Sequence, residues 1–251
     1  RSNGKDAFSA TQITHLRLCV LALLFLRDRV GSGRPRSARC LTVMSVPKDT
    51  HKADRVGSVR LARHLSNIIS PPTMFAATGL ALGIYAQPFW PGLAWGALYA
   101  VFVAGAPMIT VALLLRSGHI TELHMSATHE RHIPYLVAFV AGLAAWGVLT
   151  LFNGPELLRC LAVVSAITLG ALGIINSFWL ISIHATAAGA TWLIATLVFG
   201  WVVGLLLLPV AILVGYVRLF LHRHTVAQVL AGFGLGLSVV LLARAFGCFI
   251  G

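Results

Sequence analysis

Acidic side chains are scarce: seven Asp and Glu stand against nineteen Lys and Arg in 251 residues. Charged residues of both signs reach only 10%, where a soluble domain of this length carries about a quarter. That shortage excludes a water-soluble globular domain as the main body of the chain. Cysteine is sparse too. Cys19, Cys40, Cys160 and Cys248 form no CxxC or zinc spacing, so no disulfide framework is implied, and Cys160 is expected within a span as a small apolar residue. No His-Glu-x-x-His run is present, and Glu122 and Glu130 are too few to frame a metal among the loop histidines. No cofactor is expected.

What the chain has instead is apolar length. Hydrophobic residues make up 58% of it, with a mean hydropathy of +0.86. A helix of about 20 apolar residues crosses about 30 Å of hydrocarbon, so the long uncharged runs predict an all-α, polytopic membrane helical bundle. Spans are expected at 72–86, 93–115, 135–152, 157–181 and 225–243. The run 185–217 is ambiguous. As one helix it would be about 50 Å long, too long for a simple crossing. Gly200, Gly204 and Pro209 offer places to turn, and two crossings give seven spans; a single crossing gives six.

Residues 1–66 form a different region. Thirteen of the nineteen Lys and Arg lie there, and the segment is expected to be a flexible basic arm or a targeting segment ahead of a membrane domain at 67–251. Its patch Leu18–Leu26 is too short to span. In a membrane protein such charge orients the chain, with the positive side cytoplasmic; nucleic acid is not an expected partner.

Polar chemistry is concentrated in 116–134, 182–184 and 218–228. Seven of the ten histidines fall there: His119, His124, His129, His132, His184, His222 and His224. Polar groups are costly next to lipid, so clusters at the ends of apolar runs mark functional sites. With two crossings in 185–217, all three clusters and the basic arm share one membrane face, which the charge bias makes cytoplasmic. Arg218 lies six residues before His224, and Gln228 four after it. On a helix starting near Thr225, Gln228 shares a face with His224 and can orient its imidazole. His119, His129, His132 and His222 are read as solvated loop residues, and Arg223 as facing lipid phosphates.

The run 218–232, RLFLHRHTVAQVLAG, resembles the third signature of the type 2 phosphatidic acid phosphatase family, Ser-Arg-x5-His-x3-Asp. Ile181-Ser182-Ile183-His184 is similar to the second, Pro-Ser-Gly-His. The first, Lys-x6-Arg-Pro, is matched by His124 and Arg131. The resemblance covers about 65–245. It implies metal-independent hydrolysis of a lipid phosphate or polyprenyl diphosphate, with the substrate drawn from the bilayer. His224 would attack phosphorus to form a phosphohistidine, and His184 would protonate the leaving oxygen and then activate water. Arg218, Arg131, His124 and the backbone at Ser182 would hold phosphate. Three departures stand out: Gln228 replaces the Asp, His124 the Lys and Ile183 the Gly. They motivate an alternative, a catalytically silent relative that binds anionic lipid or stabilises an assembly. The pairs Gly79/Gly83 and Gly232/Gly236 suit close helix packing, including homo-oligomer contacts. Trp90, Trp95, Tyr135, Trp179 and Tyr216 fit an interfacial belt.

Overall fold

The computed structural model describes residues 47–49, 56–119 and 132–250. They form nine α-helices: α1 Gly57–Ile68, α2 Pro71–Ala86, α3 Phe89–Ala100, α4 Ala106–Arg116, α5 His132–Leu151, α6 Glu156–Ile175, α7 Ile183–Phe199, α8 Trp201–Phe220 and α9 Val226–Ala245. A π-helical turn, Val101–Gly105, joins α3 to α4, so the two run as one 28-residue rod with an irregular middle. That rod and α5, α6, α8 and α9 are long and apolar enough to cross a membrane. α1 and α2, bent by 44°, make a sixth candidate. α7, with 17 residues, is shorter than a perpendicular crossing takes. The protein is an integral membrane helical bundle.

The ambiguous run divides into two helices, but only α8 is long and apolar enough to count as a span. The candidates among the described residues therefore number five, or six with the bent pair, where two crossings in this run were expected to give seven. Gly200 closes α7 and opens α8 with φ +90°, a conformation in which a Cβ would be strained. α7 therefore leaves the face that α8 returns to, and His184 and Arg218 end on the same side.

Two expectations are revised. The span expected at 157–181 ends as a helix at Ile175, because the Asn176 Oδ1 accepts from the Ile181 N–H at 2.7 Å and folds the following residues into a turn. The arm expected to run unstructured through residue 66 already contains α1. Ala62 and Ser66 on its inner face are buried, with Ala62 packed on Val217 and Leu221. The rest of the arm lies mostly outside the described residues.

Glycine sets the tightest packing. A Cβ on Gly83 would strike the Gly92 carbonyl, one on Gly92 the Gly83 carbonyl, and one on Gly79 the Tyr99 ring, so α2 and α3 meet backbone to backbone. Gly232 and Gly236 likewise press α9 on the Ser182 and Thr186 carbonyls of the α7 end. Both small-residue pairs are thus used within the chain.

At the far end, Cys160 in the first turns of α6 is bonded to Cys248 beyond α9, at a Cα–Cα distance of 5.6 Å. This corrects the reading of Cys160 as a lone small apolar residue. Spacing gave no hint, because the partners are 88 residues apart. Phe249, held with φ +57°, is buried in the core beside the bond, and the Arg244 Nη1 donates to its carbonyl at 3.0 Å.

Candidate active site

Three of the sequence-predicted residues line one cavity. His184 comes from the first turn of α7, Arg218 from the last turn of α8, and His224 from the residue before the α9 cap. The cavity holds about 340 Å³ and opens at the end of the bundle where α2, α5, α7 and α9 begin. Its walls are mainly apolar: Pro71, Pro72 and Phe75 of α2, Pro107, Met108 and Val111 of α4, and Ala138 and Leu169 opposite them. A polar end with an apolar wall suits an amphiphile.

Local sequence explains the convergence. α7 reads Ala185-Thr186-Ala187-Ala188-Gly189-Ala190 after His184, small enough for α9 to close on it through Gly232 and Gly236. The Ser182 N–H donates to the Gln228 carbonyl at 3.2 Å and ties the α7 entrance to the α9 entrance. His184 and His224 are carried by those two tied ends.

Arg218 is buried, and its Nη1 donates to the Ser66 Oγ of α1 at 3.0 Å. Its position in the last turn of α8 also suits the negative end of the helix dipole. α1 thus contributes Ser66 and Asn67 to the cavity; the sequence reading missed them because they sit where the basic arm meets the membrane domain, ahead of the first expected span.

Ser182 and Gln228 occupy other places than expected. Both are buried, and neither is among the residues that line the cavity. The Ser182 Oγ caps α7, accepting from the Ala185 N–H at 3.4 Å, while its own N–H is spent on Gln228. The Gln228 Oε1 accepts from the Thr225 N–H at 2.9 Å, and the Thr225 Oγ1 from the Gln228 N–H at 3.4 Å. That is a capping box. The bond found on Gln228 fixes the backbone that carries His224 rather than the imidazole ring. Arg131 and His124 lie outside the described residues, as do His129, Glu122 and Glu130.

Arg223 is corrected outright. Instead of facing lipid it is buried, and its Nε and Nη2 both lie 2.8 Å from the Asp49 Oδ1. The Arg63 Nη1 meets the other oxygen of the same carboxylate at 2.8 Å. Beside this cluster Lys48 lies over the Phe220 ring, 4.6 Å from its centroid, and its N–H donates to the Leu221 carbonyl. His222 sits between them with φ +55°. Burial, and then the Lys48 charge, push its pKa below the ordinary histidine value.

Among the described residues no three His, Cys, Asp or Glu side chains converge as a metal set. Tyr135, expected in an interfacial belt, lines the cavity instead. No family model, curated protein or solved structure matches this chain.

Proposed function

We propose that the protein hydrolyses a lipid phosphate or polyprenyl diphosphate without a metal, through a phosphohistidine on His224. The observation that carries this reading is the meeting of His184, Arg218 and His224, from three separate segments, at the polar end of one apolar-walled cavity. His224 attacks phosphorus, and the bond to the leaving oxygen breaks as His184 gives that oxygen a proton. His184 then takes a proton from water, whose oxygen displaces His224 and releases phosphate. Arg218 offsets charge on the phosphate oxygens, with Arg131 and His124 as further candidates. The likeness of 218–232 and 181–184 to the type 2 phosphatidic acid phosphatases supports the same assignment.

The site face is assigned to the cytoplasm. Two features support this: the basic residues Lys48, Arg60 and Arg63 of and before α1, at the site end, and the Cys160–Cys248 bond at the opposite end, where an oxidising compartment preserves disulfides.

A second reading, a silent relative that binds anionic lipid, draws on Gln228, whose carbonyl is engaged in the helix cap. One experiment separates the two. Phosphate release is followed with the purified protein in detergent, without added metal, on phosphatidic acid, phosphatidylglycerol phosphate and undecaprenyl diphosphate. Release that falls by at least about a thousand-fold in His224→Ala supports the hydrolase. Release that survives His224→Ala removes the phosphohistidine, and none from either protein leaves lipid binding.

A further inference from the structure

α1 presents three different faces. At about 3.6 residues per turn, Val59, Ala62 and Ser66 fall on one side, which packs on Val217 and Leu221 at the end of α8 and gives Arg218 its Ser66 partner. Arg60, Arg63, His64 and Asn67 fall on a second side, and Leu61, Leu65 and Ile68 on a third. Leu61 and Ile68 are 61% and 65% exposed, so little protein covers that third face. The sequence that follows keeps α1 out of line with α2. Pro71 and Pro72 cannot carry on a preceding helix, Ser70 is extended, and the two helices are bent by 44°.

A helix with the bundle on one side, apolar residues next to it and basic residues beyond suits the boundary between hydrocarbon and headgroups. There the apolar face enters the acyl chains while a long arginine reaches the phosphates. The charge around α1 has one sign. No Asp or Glu stands in α1. In the described segments 47–49, 57–68 and 221–225, Lys48, Arg60, Arg63 and Arg223 face a single acid, Asp49. Its carboxylate is taken by Arg63 and Arg223, which leaves the exposed Lys48 and Arg60 as the outward charge. The polar face of α1 also runs to the site. Asn67 lines the cavity, and His64 and Arg60 stand about one and two turns farther out on the same face.

We infer that α1 is a docking surface, outside the cavity, for the anionic phospholipid headgroups of the bilayer. Arg60 supplies its charge and His64 a second polar contact, with Leu61 and Ile68 among the acyl chains. Its polar face leads a headgroup to Asn67 at the cavity. Hydrolysis is not required: the surface collects anionic lipid whether or not the cavity turns it over.

The test uses the full chain in phosphatidylcholine nanodiscs. A trace of phosphatidylglycerol or of phosphatidylcholine is added, each with the same diazirine near the top of one acyl chain. After illumination and proteolysis, label on the α1 peptide is compared for the two lipids. Phosphatidylglycerol should label α1 at least about five-fold more, the worth of one cation beside an anionic surface, and high salt should erode the preference. Arg60→Gln with His64→Gln should remove most of the preference and leave phosphatidylcholine labelling at the parent level. Both side chains are exposed, where substitutions are tolerated. Arg159→Gln, in the first turn of α6 at the far end of the bundle, subtracts a charge without touching α1 and should keep the preference.

Equal labelling of α1 by the two lipids overturns the inference, as does no label from either. An equal fall in Arg159→Gln also overturns it, by making net charge the cause. A parallel loss of both lipids in the α1 variant does the same, since the helix itself would have moved. Phosphate release enters none of these readings, so the hydrolase can fail while this surface stands.

Discussion

Asp49 and Arg223 are 174 residues apart in the chain and meet at 2.8 Å in a buried ion pair. The carboxylate is fully buried, and its second oxygen takes Arg63, which is partly exposed. Residue 49 is thereby fastened to the α8–α9 loop, one residue from His224. Taking away one partner of a buried pair leaves the other charge without compensation, at a cost of about 3–5 kcal/mol. Asp49→Ala should therefore lower the thermal unfolding temperature in detergent sharply. Replacing Arg223 by Met in the same protein should recover most of the loss, since Arg63 can turn to water. Equal destabilisation in single and double variants would dismiss the pair as a fastening.

Gln228 offers a sharp separation of roles. As a cap, its loss in Gln228→Ala costs about 1 kcal/mol of stability, and phosphate release should change by less than ten-fold. Gln228→Glu keeps the box and should match the parent in unfolding temperature. An orienting group in a catalytic triad is worth about 10⁴ in rate. A rate loss on that scale in Gln228→Ala, at parent-like stability, would give the side chain the orienting role after all.

The Cys160–Cys248 bond closes a loop of 88 residues. Removing it by Cys248→Ala should cost about 2–4 kcal/mol, seen as a lower unfolding temperature that reductant no longer changes. Peptide mapping of protein from its native membrane should show the linked Cys160 and Cys248 peptides before reduction and not after. Finding both thiols free there would also remove one support for a cytoplasmic site.

His222 gives the fold a pH dependence with a definite sign. Its folded pKa is lowered by burial and by Lys48, so between that value and about 6.5 the unfolded chain binds more protons. The contribution is complete above about pH 6.5 and is lost as pH falls toward the lowered value. The unfolding temperature should thus drop more between pH 7.5 and 5 in the parent than in His222→Asn, a residue that tolerates positive φ. Parallel pH curves for the two proteins would rule His222 out as the source.

The helices were legible because lipid leaves few choices: uncharged runs become rods, and Gly200 has the freedom to turn one rod into two. The three cavity groups were legible for the same reason, since His184, Arg218 and His224 stand at the ends of apolar runs. Thr225-x-x-Gln228 is itself a capping-box pattern, so the true bond of Gln228 was written in the sequence beside the catalytic likeness that overshadowed it. Asp49 with Arg223 and Cys160 with Cys248 were hidden by distance along the chain, because periodicity reports only neighbours within an element. Asn176 was hidden differently. A buried amide reveals its use only when both its ends have partners in space.

The glycine contacts between α2 and α3, and between α7 and α9, leave no room for a side chain at Gly83, Gly92 or Gly236. The π turn is the opposite case: a Cβ on Gly105 would meet only the Ala100 carbonyl, at an ordinary 3.9 Å. Val103, from the same turn, lines the cavity beside Pro107 and Met108. Heritable change in the width or bulk of the cavity therefore has an inexpensive address in that turn, while the welded helix pairs on either side stay fixed as the jaws of the vice.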